Sequence, residues 1–342
     1  MSKPAAGQRT RLILTVLSLT VLASLVLAAC TGSVAISPAD LLQAGADYFT
    51  GAPSGLAATL IELRVQRALG ALVTGASLSL AGVLMQALLR NPLADPYVLG
   101  ISGGAAVGAL TALLCCELVW MMQLAAFGGA ILVAGLLFVL AYRDFRGSGT
   151  AEGSATTLLL TGVIVSSGCM ALITLMLSLT PDSRLRSMVF WMIGDLSATR
   201  SSIFTWLVLL GVLAYVLGRA RAINISVLYS DSAATLGVSL GRLRKGLFLC
   251  AALLTASAVS TAGAIGFVGL IMPHACRFAW GPDHRLLLPA SCLAGGSFLV
   301  LADTLARTVI APQQLPVGVI TALIGVPVFL LQLHQHRQHH GH

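Results

Sequence analysis

The residues able to do chemistry in this 342-residue chain are few, and their spacing excludes more than it offers. A phosphate-cradling loop of the form GxxxxGK[ST] sets a lysine behind a glycine turn to meet the β- and γ-phosphates. Lys3 and Lys245 are the two lysines here, and neither follows such a turn. The chain therefore carries no ATPase site of that type, and no nucleophile–base set marks it as an enzyme. An ion-driven carrier sets carboxylates near the middle of the bilayer. Of the 12 acidic residues, Asp95 and Asp303 fall near the ends of apolar runs and the others lie in loops or at interfaces. With neither ATP chemistry nor a proton relay in view, the energy is expected from a partner. The seven cysteines form no CxxC pair and mostly sit inside apolar runs, so they read as small buried residues. No metal site is expected. His274 and Arg277 read as cations at a helix end, and the His-rich tail from His334 to His342 as a polar, disordered end able to hold metal only loosely.

Two polar constellations remain. Arg64 and Arg67, three apart, share a helix face, and Arg307 closes a later run on the same side. A guanidinium fork grips a carboxylate in two places, which suits docking of an acidic partner, whereas plain snorkelling to the interface needs no partner. The second constellation is the stretch Ile223–Lys245. It reads as two short helices joined by a turn, with Asp231 capping the first and Gly237 supplying the left-handed residue that ends it. Its apolar Leu228 and Leu236 beside Asp231 suit insertion into a groove of another protein.

The elements that must position these residues are membrane helices. The chain is 57% hydrophobic and 9% charged, with a mean hydropathy of +0.93, against about 25% charged residues in a soluble domain. Long apolar runs without period-two alternation indicate helices, not a barrel. Ten runs stand out: Arg11–Cys30, Leu63–Ala87, Tyr97–Leu114, Leu118–Ala141, Thr157–Leu179, Ile203–Leu217, Leu247–Ala264, Ile265–Trp280, Leu286–Ala306 and Pro316–Leu333. The fold class is thus an all-α polytopic membrane protein. Residues 1–10 form an N-terminal segment, 11–333 a single transmembrane domain and 334–342 a tail. The N-terminal run resembles a lipoprotein signal ending at Cys30, but reads best as a retained first span. Numbered from a cytoplasmic N-terminus, the loops put fourteen Lys and Arg inside and six outside, so both termini and the 223–245 loop are expected in the cytoplasm. The same bias accounts for the net charge of +8 without invoking nucleic acid. The stretch Pro181–Arg200 is expected as an interfacial helix with Met188, Phe190 and Trp191 towards bilayer or pathway. Pro92, Pro96, Pro273 and Pro327 are expected to break spans.

Longer motifs narrow the reading. Arg64-Val-Gln-Arg67 is followed by Gly75-Ala, Ala81-Gly, Gln86 and Asn91-Pro-Leu-Ala-Asp-Pro-Tyr-Val-Leu-Gly100. Further on come Gly263-Ala-Ile-Gly-Phe-Val-Gly-Leu-Ile-Met-Pro-His274-Ala-Cys-Arg277, Ala302-Asp-Thr-Leu-Ala-Arg307 and Leu315-Pro-Val-Gly-Val-Ile-Thr-Ala-Leu-Ile-Gly-Val-Pro327. In this order they resemble the membrane permease subunit of the type II ABC importers for iron chelates, haem and cobalamin. The resemblance implies ten helices per subunit, a homodimer in the bacterial inner membrane, two separate ATP-binding subunits holding ATP and Mg beneath it, and a periplasmic binding protein above. It further implies that the 223–245 loop couples to the ATPase through Leu228, Asp231, Ala233, Ala234, Leu236 and Gly237. Arg64, Arg67 and Arg307 would meet carboxylates of the binding protein, and Ala155 and Thr156, in the small-residue loop 147–157, would lie at the cytoplasmic gate. The competing class is a secondary carrier or channel that works alone.

Overall fold

The computed structural model describes residues 6–33, 56–115, 118–142, 151–197, 202–228, 233 and 235–340. Those residues form twelve α-helices and no strand: α1 (Ala6–Cys30), α2 (Leu56–Leu89), α3 (Ile101–Cys115), α4 (Val119–Leu140), α5 (Ala151–Leu179), α6 (Asp182–Ile193), α7 (Ile203–Leu217), α8 (Ala220–Leu228), α9 (Leu240–Ala262), α10 (Val268–Trp280), α11 (His284–Thr308) and α12 (Val317–His340). Six of them, α1, α2, α4, α5, α9 and α11, are long and apolar enough to cross a bilayer. The bent pair α7–α8 and the apolar α3 and α12 are shorter candidates. With the still shorter α10, they make up the ten runs read from the sequence.

The organising element is α2. Its 34 residues extend about 51 Å at 1.5 Å per residue, well beyond a hydrocarbon core of about 30 Å. From Ala68 onward nearly every side chain is buried, packed by α9, α10 and α11. Small residues allow this, because helices in lipid associate by close packing and not by escape from water. A Cβ on Gly82 would overlap the carbonyl oxygen of Gly269 on α10, and one on Gly75 the carbonyl oxygen of Gly295 on α11. α3 packs against α4 in the same way, through Gly104, Gly108 and Gly129. By contrast α1, α4 and α5 keep most of their length exposed, as befits helices at the margin of the bundle.

Several expectations change. Pro273 and Pro327 do not break spans; each lies inside a continuous helix, α10 and α12. Pro96 does stand at a break, as expected: the interruption between α2 and α3 is a 3-10 turn, Pro96–Leu99, capped by Asp95 Oδ1 accepting from the Tyr97 N–H at 2.8 Å and closed by Gly100 at φ +78°. The loop assigned to 147–157 gives way to helix, because α5 begins at Ala151 and carries both Ala155 and Thr156. α6 exists where an interfacial helix was expected, but Met188 and Trp191 are buried in the bundle and leave only Phe190 of the three partly exposed. Arg184 holds α6 there by donating to the carbonyls of Leu113 and Leu114 at 3.1 and 3.0 Å. The His-rich tail continues α12 as helix as far as His340, so it is not a disordered end.

Candidate functional site

The bundle has two polar ends, and each carries one of the constellations read from the sequence. At the first end α7 stops at Leu217, Gly218 and Arg219 intervene, and α8 leaves at 63° to α7. The Arg219 guanidinium covers the Tyr215 ring, 3.7 Å from its centroid, at this bend. α8 buries Ala220, Ile223 and Ser226 and turns Leu228 outward, 63% exposed. Beyond it, Ala233 is buried and Leu236 is 55% exposed. Gly237 has φ +79°, in the left-handed region that favours glycine, as its position predicted. Among the described residues here, Ala233 and 235–237 form a turn, closed by the Val238 N–H donating to the Ala233 carbonyl at 2.9 Å, that leads into α9. Asp231 and Ala234 lie outside the described residues.

A polar contact that the sequence reading missed fixes α8 to the bundle. Asn224 Nδ2 donates to Asp283 Oδ1 at 2.7 Å, while Asn224 Oδ1 accepts from the His284 N–H at 3.0 Å and lies 2.7 Å from His284 Nδ1. Asp283 also caps α11 by accepting from the Arg285 N–H at 3.0 Å. Partial burial tends to raise the Asp283 carboxyl, but the Arg285 N–H, the Asn224 amide and the neighbouring cations outweigh it and leave it below its ordinary value. The sequence hint was a Pro282-Asp283 pair ahead of an apolar run, an N-cap signal whose partner 59 residues away is not local. Deeper in, Arg277 Nη2 donates to Gln86 Oε1 at 2.8 Å, and Gln86 Nε2 reaches the Leu270 carbonyl at 3.3 Å, which ties α2 to two points along α10. His274 sits instead against the Phe329 ring of α12.

At the second end the three arginines come together, but not as free forks. Arg67 grips Asp303 through Nε (3.1 and 3.0 Å) and Nη2 (2.8 Å), and its Nη1 donates to Gln314 Oε1 at 2.8 Å. Arg307 Nε lies 3.2 Å from Asp303 Oδ2 on the same helix, and its Nη2 reaches the Ala28 carbonyl of α1. Arg64 donates to the carbonyls of Ala29 and Cys30 at 3.3 Å each. All three side chains are buried, as is Asp303. Each guanidinium is thus engaged within the chain, where unsatisfied donors in an apolar surrounding are costly. These contacts tie the ends of α1, α2 and α11.

Of the gate candidates, Thr156 is exposed at the start of α5, and Ala155 precedes it in the same turn. Among the described residues no cluster of His, Cys, Asp or Glu is arranged to hold a metal ion.

Comparison with known proteins agrees with this arrangement. The FecCD transport family matches residues 19–335. An uncharacterised ABC transporter permease, YvrB of Bacillus subtilis (strain 168), is 42% identical over 287 residues, 81% of this chain and 79% of the relative. The vitamin B12 import system permease BtuC of Klebsiella pneumoniae is 36% identical over 327 residues, covering 94% of this chain and 93% of BtuC. A solved structure described as a metal-chelate type ABC transporter in an inward-facing conformation superposes with a TM-score of 0.80 at 27% identity, over 94% of this chain and 99% of that one. With matches of this extent the assignment follows: the chain belongs to the FecCD transport family, as the permease of an ABC importer.

Proposed function

We propose that this permease translocates a bulky metal chelate across the inner membrane, delivered by a periplasmic binding protein and driven by two separate ATP-binding subunits. The observation that carries the proposal is the elbow formed by α8 and the turn to Gly237. It turns two large apolar side chains, Leu228 and Leu236, outward at a polar end of the bundle, in a chain with no phosphate loop of its own. Exposed leucines in a polar setting mark a surface that another protein covers. In this reading the elbow faces the cytoplasm with both termini, and Leu228, Asp231, Ala233, Ala234, Leu236 and Gly237 receive the motion of the ATPase. ATP and Mg stay with that partner. The opposite end, where Arg67 and Arg307 meet Asp303 and Arg64 meets the end of α1, receives the binding protein through these arginines. Two copies of the chain share the pathway, α5 with its largely exposed face suits its lining, and Ala155 and Thr156 stand at the cytoplasmic gate.

Cobalamin is the first substrate to test, because the Klebsiella relative is named for vitamin B12 import. A ferric siderophore and haem are the other two. The decisive experiment reconstitutes the permease in proteoliposomes with its ATP-binding subunits and binding protein, and offers cyanocobalamin, a ferric hydroxamate and haem in turn. ATP-dependent uptake of one of them, lost when the ATP-binding subunits are omitted, is expected. Uptake that persists without those subunits and follows an ion gradient would instead make the chain a secondary carrier.

A further inference from the structure

We infer that Asn224 is the positioning residue that latches the elbow to the bundle, so that movement of α8 is passed into α11 instead of being absorbed by the surrounding loops. The inference rests on the coupling role proposed above for the elbow, and adds the contact through which the force leaves it.

α8 leaves α7 at a 63° bend after Gly218 and Arg219, so its axis does not run on from a bundle helix and its side-chain contacts must fix its position. Among the described residues, Asn224 makes the side-chain hydrogen bonds from α8 to another element. Both ends of its amide are engaged at once. The NH₂ group donates to the cap carboxylate of Asp283, and the oxygen accepts the first backbone N–H of α11. An amide held at both ends cannot rotate about its last torsion without breaking a bond, so the contact is stiff as well as specific. The oxygen also meets His284 Nδ1 at 2.7 Å, which assigns the ring proton to Nδ1. His284 is buried, and its Nε2 finds no hydrogen-bond partner, so the ring has no other polar anchor. Ala220, Ile223 and Ser226 are the buried residues of α8, which packs against α11.

What the latch grips matters for transport. α11 is one continuous helix from His284 to Thr308, with Pro289 accommodated in its second turn. It carries Asp303 nineteen residues on, about 29 Å away at 1.5 Å per residue. A displacement of α8 transmitted by Asn224 therefore reaches the Arg67–Asp303–Arg307 cluster at the opposite end through one rigid element. Coupling of this kind needs a contiguous, stiff contact at the point of entry.

The test compares variants in the reconstituted system, using cyanocobalamin or whichever of the three chelates the wild type takes up, and reads chelate moved per ATP hydrolysed. Asn224→Ala is expected to lower that ratio about tenfold, a coupling loss of ordinary size, while the ATP-binding subunits remain assembled. Asn224→Asp, which sets two carboxylates against each other, is expected to lower it as far. The double variant Asn224→Asp with Asp283→Asn exchanges donor and acceptor and keeps the cap, and is expected to restore the ratio to within about twofold of wild type. A residue that merely stabilised the fold would change the yield of complex, not this ratio. If Asn224→Ala fails to assemble, the isosteric Asn224→Asp and the double variant decide. A wild-type ratio in the single variants, or a double variant no better than Asn224→Asp alone, overturns the inference while leaving the permease reading intact. Wild-type protein that shows no ATP-driven uptake with any chelate removes that reading, and the inference with it.

Discussion

Two guanidiniums converge on the Asp303 carboxylate, one from α2 and one from its own helix, and the carboxylate is 1% exposed. Removing one member of a buried ion pair leaves the others desolvated and uncompensated, at a cost of about 3–5 kcal/mol. Asp303→Ala is accordingly expected to lower the melting temperature of the detergent-solubilised permease markedly. Asp303→Asn, which keeps the shape and one good acceptor, should fall between. A melting curve unchanged by Asp303→Ala would show that water or lipid headgroups satisfy both arginines without the carboxylate. The sequence displayed half of this cluster. Asp303 and Arg307 stand four apart on a helical run, the spacing at which opposite charges meet. Arg67 lies 236 residues earlier, and no local pattern links it to either. Basic residues at one end of the bundle were therefore legible, but the carboxylate that two of them share within the chain was not.

The spans themselves were legible because the bilayer imposes a minimum apolar length, and each of the ten runs has its helix. Their boundaries and breaks were less so. α2 continues seven residues ahead of its apolar run, since a helix is not obliged to end where lipid does. Of the prolines expected to break spans, Pro96 does stand at an interruption, held by a cap and a left-handed glycine, whereas Pro273 is carried within α10. Helix contact, not helix identity, decides whether α2 and α10 can coexist, and that contact is a glycine pair. Gly82→Val is expected to force α2 from α10 by overlap with the Gly269 carbonyl, at about 1–3 kcal/mol for overpacking. It should also strain the 2.8 Å bond between Gln86 and Arg277 one turn below. Gly128→Val, on the exposed side of α4 with open space around its Cα, is the matched control and should be tolerated. The yield of monodisperse protein on size-exclusion chromatography reads the difference, and equal yields would mean that the interface relaxes around the added side chain.

At the scale of the whole molecule the proposal makes the two polar ends the working surfaces, with α11 as the shared rod that runs between them. One end is closed in on itself by ion pairs. In the proposed reading the motor takes hold at the other, through the exposed Leu228 and Leu236 of the elbow. On that reading the chain can be separated from its motor without being unfolded. Leu228 and Leu236 are both more than half exposed, so replacing them removes nothing from the bundle's own core. Burying a leucine side chain is worth about 1.5–3 kcal/mol. Changing both to aspartate should thus weaken binding of the ATP-binding subunits by about a hundredfold or more, since a factor of ten is about 1.4 kcal/mol. The melting temperature of the isolated permease should stay at the wild-type value. Affinity of the solubilised permease for its ATP-binding subunits, measured beside ATP-driven uptake, tests this directly. Loss of both with an intact fold places the motor at the elbow, whereas wild-type affinity and uptake in the double variant would move the contact to another surface and leave the two leucines facing lipid or water.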